Sequence, residues 1–484
     1  MKIKPRLILT VIFLLTLTFR LYISFTNSSF SGDNSYFNLR VTEEIANDGK
    51  PVFYDELSYG GRDIIYPQAF NYFLSLFSFI PNYEKIIPAL LSSLIIFLFY
   101  AISKKITNNV QSSLFVSLIS AFIPIEIMTT INQISVYSLV IPVLLLMILC
   151  LLNLDNRKYF VLFIILSFLL PLIHPISLLF MFSLFFYLML LSTESVNLDR
   201  AKKETIIFSL FVILLINFFL YKDALLRYGF DIIWQNIPAI LFETYFKSLN
   251  LFEVFYFIGI IPLVLGIIGM YMGLFKKKDP VALLLTSFIL STLLLMSLKL
   301  INLQIGVLFI SIPLVILASS SMSNAYSYLP LTKFSKYKPY FNIIFLILII
   351  VLSVIPSILI ANSLPSYDKE MKTFSWFREN TRENAVILVP YQYGNSITYF
   401  SKRTNVADDN FLLAPNVEER LNDIEVIYKS VFELKAIELI KKYDIDYIYS
   451  SKDVLDYYNI TKIPYIDNEE CFNLVTEDVY EIKC

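Results

Sequence analysis

Long runs of apolar residues alternate with short polar connections over most of the chain, up to residue 362. Runs of about 18 residues or more are candidate transmembrane helices, because lipid cannot satisfy backbone polar groups and only helices or closed barrels cross it. The period-two alternation of barrel strands is absent, so helices are predicted. About eleven spans result, at 5–25, 84–103, 110–129, 135–153, 159–173, 175–192, 204–221, 252–275, 280–298, 301–323 and 340–362.

The pattern changes after residue 362, where charged residues separate short apolar runs. Residues 386–389 and 447–449 predict buried strands, and residues 417–443 predict an amphipathic helix. The predicted fold class is a membrane all-α polytopic bundle over residues 1–362, with a large first outer loop at 26–83. A mixed α/β domain at 363–484 follows it.

Basic residues indicate which side of the membrane each connection faces, because cytoplasmic loops carry an excess of Lys and Arg. Alternate connections are basic, whereas the short turns near 130, 174 and 300 carry only Lys299. This pattern predicts a multi-pass protein of the cell membrane with a cytoplasmic N-terminus and an extracytoplasmic domain at 363–484. The basic residues on the predicted cytoplasmic side are Lys2, Lys4, Arg6, Lys104, Lys105, Arg157, Lys158, Arg200, Lys202, Lys203, Lys276, Lys277, Lys278, Lys333, Lys336 and Lys338.

Composition narrows the class of protein. Hydrophobic residues make up 57% of the 484 residues and charged residues only 16%, which excludes a disordered chain. The formal net charge of −1 argues against nucleic-acid binding, which needs a basic surface. Cys150 lies within a predicted span. Cys471 and Cys484 lie in the outer domain, where a disulfide and two free thiols are both compatible with the sequence.

Polar motifs occur in the first outer loop and in the outer domain, while Gly-rich phosphate loops, His/Cys metal clusters and GxSxG elbows are absent from the sequence. The first loop contains Gly32-Asp33-Asn34-Ser35-Tyr36-Phe37-Asn38-Leu39-Arg40, followed by Glu43 and Glu44. The outer domain contains Trp376-Phe377-Arg378-Glu379-Asn380-Thr381, then Tyr391-Gln392-Tyr393-Gly394-Asn395, then Asp408-Asp409-Asn410, and Lys442-Tyr443-Asp444-Ile445-Asp446-Tyr447.

In order and spacing these motifs resemble the catalytic subunit of oligosaccharyltransferase, especially its archaeal form, which is a GT-C membrane glycosyltransferase. The family reads W-x-x-x-N-T, then W-W-D-Y-G, then K-Y-x-V-D-Y. The resemblance covers essentially the whole chain and is specific in residues 374–410. It implies a GT-C fold and transfer of a sugar or oligosaccharide from a polyprenyl-phosphate carrier to an acceptor outside the membrane. An archaeal source is the matching expectation.

The chain departs from the family at its acidic positions. The family's first-loop Asp falls on Asn34, with Asp33 one residue earlier, and its second-loop D-x-D falls on residues 133–135, which are Gln-Ile-Ser. The acceptor-binding W-W-D-Y-G stands here as Pro-Tyr-Gln-Tyr-Gly at 390–394. The family's Arg that contacts the lipid phosphate stands as Gln304, which becomes a candidate substrate contact.

Asp33 is the candidate catalytic base, since transfer to a hydroxyl needs a base beside the acceptor. The alternative is a helix N-cap, because Asp-Asn-Ser precedes a helical stretch, and the two roles are compatible. Asp33 and Glu243 are also the candidate metal ligands. A hard cation such as Mg²⁺ or Mn²⁺ prefers several oxygen ligands, so two carboxylates make a poor site and no cofactor is firmly predicted.

Three residues are candidates for contact with the carrier phosphate. Arg40 either binds phosphate oxygens in a fork or pairs with Glu43 or Glu44 at helical spacing. Lys299 lies at an outer helix end and supplies a point charge or extends to the membrane interface. His174, the only histidine, is either a site residue at an outer turn or a hydrogen-bonded helix-end residue.

Glu243, Gln392 and Tyr393 are candidates for the acceptor side. Glu243 lies among apolar residues, which suggests a catalytic or acceptor contact, while an interfacial helix with Glu243 facing water is the alternative. Gln392 and Tyr393 occupy the acceptor-motif position and carry groups that form hydrogen bonds, although turn packing before Gly394 explains them equally well.

The predicted function is therefore an integral membrane glycosyltransferase similar to oligosaccharyltransferase. Its expected partners are a polyprenyl-phosphate-linked sugar, a protein or lipid acceptor and membrane lipids, without nucleic acid. The first alternative is a GT-C-fold protein that has lost its carboxylates and serves as a partner subunit or lipid-binding protein. The second is a transporter of lipid-linked sugars, for which no internal repeat is visible.

Overall fold

The structure is a computed structural model that describes residues 4–246, 250–333 and 335–484, so that Lys2 lies outside the described residues. Helices dominate it. In chain order they are α1 (Pro5–Thr26), α2 (Asn34–Asp48), α3 (Ala69–Ser75), α4 (Tyr83–Thr107), α5 (Val110–Ser120), α6 (Pro124–Thr130), α7 (Tyr137–Leu151), α8 (Arg157–Ile173), α9 (Ser177–Thr193), α10 (Arg200–Tyr228), α11 (Ala239–Tyr245), α12 (Leu251–Ile258), α13 (Ile260–Tyr271), α14 (Pro280–Ser297), α15 (Leu303–Tyr328), α16 (Lys338–Ile349), α17 (Ile355–Ser363), α18 (Asp368–Asn380), α19 (Gly394–Ser401), α20 (Val417–Lys429), α21 (Glu433–Lys442) and α22 (Lys452–Tyr457).

Strands are short and few among the described residues. They are β1 (Tyr54–Asp55), β2 (Arg62–Asp63), β3 (Val386–Leu388), β4 (Thr404–Asn405), β5 (Ile445–Tyr449), β6 (Phe472–Thr476) and β7 (Val479–Ile482).

The chain forms two compact units that interleave along the sequence. The first, called the helical unit, consists of the described residues of Met1–Thr26, Pro67–Lys222 and Tyr245–Leu364. The second, called the α/β unit, consists of Asn27–Tyr66, Asp223–Thr244 and Pro365–Cys484. The two consecutive domains predicted from sequence, 1–362 and 363–484, stay a prediction. The compact units differ from them because residues 27–66 and 223–244 pack with the C-terminal part of the chain.

The helical unit contains helices that suit a membrane. Seven described helical stretches are long and apolar enough to span it, namely Pro5–Thr26, Tyr83–Thr107, Arg200–Tyr228, Ile260–Lys277, Pro280–Ser297, Leu303–Leu331 and Tyr340–Asn380. The last residues of two of them, 223–228 and 365–380, belong to the α/β unit. The pair α5 and α6 is bent by 46° and makes an eighth span if it crosses as one, while α7 and α9 are apolar but shorter. The chain is thus a multi-pass membrane protein. The predicted count of about eleven spans stays a prediction.

Two predicted spans are broken in the structure. α6 begins at Pro124, whose ring and missing N–H prevent a straight continuation of α5. α12 and α13 are separated by Gly259, which has a positive φ of 87°. Both breaks fall where the sequence supplies a residue that cannot, or need not, keep helical geometry.

An ion pair lies inside the helical unit, and the hydrophobic pattern of the sequence gave no sign of it. Arg20 on α1 is 1% exposed and Glu126 on α6 is 2% exposed, and the guanidinium of the first donates to the carboxylate of the second. Arg20 also donates to Thr130 Oγ1 at 2.8 Å. A charged residue in a membrane helix needs a partner in the bundle. Here α6 supplies both partners for α1.

The α/β unit is built on a mixed five-stranded sheet with the order β4-β3-β5-β7-β6. β3 pairs in parallel with β4 and β5, while β7 pairs antiparallel with β5 and β6. The predicted strands at 386–389 and 447–449 correspond to β3 and β5. The single helix predicted at 417–443 is two helices, α20 and α21, since the chain turns at Ser430 in an extended conformation.

Aromatic and aliphatic residues fill the core of the α/β unit. Phe374 and Phe377 of α18 are fully buried, as are Ile387 and Leu388 of β3. Tyr59, from the segment 27–66, belongs to the same core cluster. This packing explains why residues 27–66 associate with the C-terminal segment: burying apolar surface is the dominant favourable contribution to folding.

A disulfide joins Cys471 to Cys484, closing a segment of 13 residues that contains β6 and β7. This was one of the two alternatives that the sequence left open. Cys150 is a buried free thiol on α7.

Candidate functional site

Asp33 occupies an unexpected place in the α/β unit. It directly precedes α2, but its side chain makes no capping hydrogen bond to that helix. Instead, its carboxylate accepts hydrogen bonds from two backbone N–H groups at the start of α19: Asn395 N to Oδ2 at 2.9 Å and Ser396 N to Oδ1 at 2.8 Å. The predicted capping role for α2 is therefore wrong. Asp33 satisfies the unpaired donors of another helix, 362 residues away in sequence.

A second carboxylate accompanies Asp33. Asn395 Nδ2 donates to Asp409 Oδ1 at 2.7 Å, so Asn395 bonds Asp33 through its backbone and Asp409 through its side chain. Burial raises the pKa of Asp33 to about 7, against the opposing effect of its hydrogen bonds to Ser396 and Asn395. Burial, and then the negative charge of Asp33, raise the pKa of Asp409 well above its ordinary value. Two neighbouring acids in a desolvated site resist joint ionisation.

Three tyrosines, Tyr36, Tyr367 and Tyr393, lie close enough to Asp33 for its charge to raise their pKa values. The ring of Tyr367 lies 6.1 Å from that of Tyr36 and 5.7 Å from that of Tyr393. Burial raises the pKa of Tyr367, and the charge of Asp33 adds to that effect. These phenols therefore stay protonated near neutral pH and are available as hydrogen-bond donors.

The acceptor-motif residues lie next to Asp33. Gln392 and Tyr393 form the short turn before α19, and both are half-buried. Gly394 follows, where a Cβ atom would lie 2.4 Å from Asp408 Cβ and 2.5 Å from Ala407 O. Only glycine permits this approach of the two segments. The structure thus brings three predicted site residues, Asp33, Gln392 and Tyr393, into one neighbourhood.

Arg40 has a partner that the sequence analysis did not consider. Both of its terminal nitrogens donate to the carboxylate of Asp55 at 2.6 Å, and both side chains are buried. Its partner is thus Asp55 rather than Glu43 or Glu44, and the salt bridge predicted at helical spacing is wrong. The two guanidinium nitrogens that were expected to bind a phosphate in a fork bind the carboxylate of Asp55 instead.

Arg62 continues the same network and was missed as a candidate. Its side chain and that of Asp408 are both fully buried, and the guanidinium donates to both carboxylate oxygens of Asp408 at 2.8 Å. Arg62 also lies 3.4 Å from Asp55 Oδ2, and Tyr59 Oη donates to Asp408 O at 2.6 Å. The sequence signal was an Arg within the loop at 26–83 and an Asp within the motif at 408–410. Their pairing depends on the tertiary fold.

Glu243 does not join the Asp33 neighbourhood through any hydrogen bond or ion pair among the described residues. It is exposed on α11, as the interfacial-helix alternative expects. A divalent cation prefers several oxygen ligands, and within the described ranges no group of three His, Cys, Asp or Glu side chains is arranged to hold one. Asp33 already accepts two backbone N–H bonds. Asp33 and Glu243 therefore do not fit a Mg²⁺ or Mn²⁺ site.

The remaining candidates belong to the helical unit. His174 follows α8, and its Nδ1 accepts a hydrogen bond from Ile176 N at 3.1 Å while its ring lies 5.3 Å from that of Tyr137. Lys299 is exposed in the turn after α14, and Gln304 is exposed in the first turn of α15. A role for these three in binding the carrier phosphate stays a prediction.

Comparisons with known proteins show similarity in structure alone. No protein-family model and no curated protein sequence matches the chain. The structure resembles the Archaeoglobus fulgidus oligosaccharyltransferase in its apo form, with a TM-score of 0.71 and 14% identity over 93% of this chain and 70% of that chain.

Two ligand-bound structures are also similar. Archaeal oligosaccharyltransferase AglB from Archaeoglobus fulgidus, in complex with an inhibitory peptide and a dolichol-phosphate, matches with a TM-score of 0.71 and 13% identity over 92% of this chain and 69% of that one. ArnT from Cupriavidus metallidurans, bound to undecaprenyl phosphate, matches with a TM-score of 0.56 and 12% identity over 98% of this chain and 97% of that one. The chain therefore has a GT-C fold similar to that of archaeal oligosaccharyltransferase.

Proposed function

We propose that this protein is an integral membrane glycosyltransferase that moves a sugar or oligosaccharide from a polyprenyl-phosphate carrier to an acceptor outside the membrane. The observation that carries the proposal is the fold similarity, which extends over at least 92% of this chain to proteins whose structures hold dolichol-phosphate or undecaprenyl phosphate. The motif series at 374–410 supports it from the sequence. Protein and lipid acceptors are both compatible with this fold.

The reaction forms a bond from the acceptor heteroatom to the anomeric carbon and breaks the bond from that carbon to the phosphate oxygen. The carrier phosphate leaves with the electron pair, and the acceptor proton passes to a base. We assign the base to Asp33. Each carboxylate oxygen keeps a lone pair after accepting one N–H bond, and a pKa of about 7 is matched to proton uptake near neutral pH.

Other residues are proposed to bind the two substrates. Gln392 and Tyr393, beside Asp33, are the acceptor contacts. His174, Lys299 and Gln304, in the helical unit, are the contacts to the carrier phosphate. Arg40 is left out of the phosphate site because Asp55 occupies its guanidinium, and Glu243 keeps only the role of an acceptor contact.

The test uses the full-length protein in lipid nanodiscs with labelled polyprenyl-phosphate sugars and a panel of peptide and lipid acceptors. The wild type is expected to transfer label, and Asp33→Ala is expected to lose at least about a hundredfold in rate. Asp48→Ala, at the exposed end of α2, is the control for loss of a carboxylate. Equal transfer by Asp33→Ala and wild type would remove Asp33 from the mechanism.

A structural role of Asp33 is separated from a catalytic one by two further readouts. The rate of a base with a pKa of about 7 rises with pH up to that value and then levels off. Added formate is expected to restore part of the activity of Asp33→Ala, since it supplies a carboxylate. Asp33 has only a structural role at α19 if Asp33→Ala stays folded, keeps the wild-type pH profile and gains no activity from added formate.

A second candidate function is a GT-C-fold partner subunit or lipid-binding protein without catalysis. The engagement of Asp33 by two backbone N–H groups and the exposed position of Glu243 favour it. This candidate predicts that the wild type binds polyprenyl phosphate but transfers no label to any acceptor. Transfer by the wild type refutes it.

A further inference from the structure

A polar cavity of about 130 Å³ lies at one end of the helical unit, where the ends of α4, α13, α14 and α15 meet. A single water needs roughly a tenth of that volume. The polar side chains that line the cavity are Thr107, Lys277, Asp279, Ser320, Ser323 and Asn324. The chain there belongs to the basic connections predicted to be cytoplasmic, and none of these residues takes part in the proposed glycosyl transfer.

The segment after α13 places Lys277 at the cavity. Residues Met272–Lys277 form a π-helical turn after α13, and such turns are frequent at functional sites. Gly273 in this turn faces α14 so closely that a Cβ atom would lie 2.3 Å from Ala282 Cβ. The close packing fixes the turn against α14 and leaves Lys277 at the rim.

Several of the hydrogen-bond donors that line the cavity have weak acceptors or none among the described residues. Among the residues that the structure describes, Asn324 Nδ2 donates to the thioether sulfur of Met272 alone, at 3.6 Å, and a thioether is a weak acceptor. Lys277 Nζ lies 3.4 Å from Asn324 Oδ1, near the limit of a hydrogen bond. The hydroxyls of Ser320 and Ser323 have no hydrogen-bond partner among the described residues. The site therefore offers several donors and few acceptors.

Two other polar side chains that line the cavity, Asp279 and Thr107, already form hydrogen bonds within the protein. Asp279 Oδ1 accepts the hydrogen bond of Val281 N at 3.1 Å and so caps α14. Thr107 Oγ1 donates to Ser103 O at 2.8 Å. Asp279 still contributes a negative charge. Lys276 is exposed beside Lys277, and Lys278 pairs with Glu194 at 3.0 Å.

We propose that this cavity binds a phosphate group, either the headgroup of an anionic membrane lipid or a free phosphate anion. Lys277 supplies the charge, and Asn324, Ser320 and Ser323 supply neutral donors to the phosphate oxygens. Phosphate is a strong acceptor for charged and neutral donors alike, and basic pockets between helices on the cytoplasmic side of membrane proteins bind anionic headgroups. The proposal does not depend on the glycosyltransferase function, since it concerns binding at a separate site.

The test measures binding to the full-length protein. Delipidated protein is reconstituted in nanodiscs of phosphatidylcholine with a minor fraction of phosphatidylglycerol, and retained lipid is counted by native mass spectrometry. In parallel, inorganic phosphate is titrated into detergent-solubilised protein by calorimetry. Lys277→Gln is expected to weaken binding about tenfold, since it removes a charge-assisted hydrogen bond. Asn324→Asp preserves shape but adds a repelling charge, and is expected to weaken it similarly.

Lys158→Gln is the matched control, because Lys158 is an exposed lysine of another basic connection and does not line the cavity. Retention of phosphatidylglycerol without binding of inorganic phosphate identifies a lipid headgroup as the ligand, and binding of inorganic phosphate identifies a free anion. Binding of neither probe overturns the proposal. Equal binding by wild type, Lys277→Gln and Asn324→Asp overturns it as well.

Discussion

The ion pair of Arg62 with Asp408 offers the sharpest test of how the first outer loop is held in the α/β unit. Both side chains are fully buried and share two hydrogen bonds of 2.8 Å. Arg62→Met keeps most of the side-chain volume but leaves the carboxylate of Asp408 without its charge partner. Breaking one side of a buried pair typically costs about 3–5 kcal/mol. We expect the unfolding free energy of the α/β unit to fall by that amount.

The assay follows from the positions of the two tryptophans. The chain has only Trp234 and Trp376, and both belong to the α/β unit. Tryptophan fluorescence, excited at wavelengths where tyrosine does not absorb, therefore reports the unfolding of this unit during urea titration without a tryptophan signal from the helical unit. Arg382→Met is the control: Arg382 is 67% exposed in its pair with Asp446, so its loss should cost at most about 1 kcal/mol.

A double variant decides whether the uncompensated charge is the cause. Arg62→Met combined with Asp408→Leu removes both charges and should recover at least about half of the lost stability, since replacing a buried pair by apolar groups is often nearly neutral. The reasoning is refuted if Arg62→Met costs no more than Arg382→Met. It is also refuted if the double variant is less stable than Arg62→Met alone.

Three further predictions concern the same unit and use the same fluorescence assay. Burial raises the pKa of Asp409, so the folded state holds the proton of this group more tightly than the unfolded state does. The contribution of Asp409 to stability is therefore fully present below the ordinary pKa of 3.8 and is lost as pH rises through the folded-state pKa. Asp409→Asn should therefore raise stability at pH 8 and change little at pH 4; equal effects would contradict this. Gly394→Ala should destabilise the unit by at least about 1–3 kcal/mol through its clash with Asp408, and an unchanged midpoint would contradict the contact. Reducing Cys471–Cys484, which closes 13 residues, should cost about 3 kcal/mol, whereas a reductant-insensitive midpoint would argue against the bond.

The buried ion pair of the helical unit illustrates a limit of hydropathy patterns. A run of apolar residues predicted α1 within one residue of its C-terminal end, although it contains Arg20. The pattern averages over a whole span, so one charged residue changes it little. Whether that residue finds a partner such as Glu126 depends on which helix packs beside it.

In the candidate site, too, sequence patterns indicated individual residues but not their contacts. Sequence motifs indicated Asp33, Gln392 and Tyr393 separately, and the structure places them in one neighbourhood of the α/β unit. The same motifs did not indicate that Asp33 accepts the backbone N–H groups of Asn395 and Ser396. Hydrogen bonds between residues more than 350 positions apart leave no local periodicity, and so sequence patterns do not report them.

The sequence by itself determined that this is a multi-pass membrane protein with a polar α/β region, and its motif order indicated the GT-C fold. These properties depend on local hydrophobicity and on the order of short motifs, which can be read along one chain. Only the tertiary structure decided that Arg40 pairs with Asp55 and that Arg62 pairs with Asp408. It also decided that Asp33 accepts the backbone hydrogen bonds at the start of α19. A buried charge is stable only beside a suitable partner, and the choice of that partner depends on how distant segments pack.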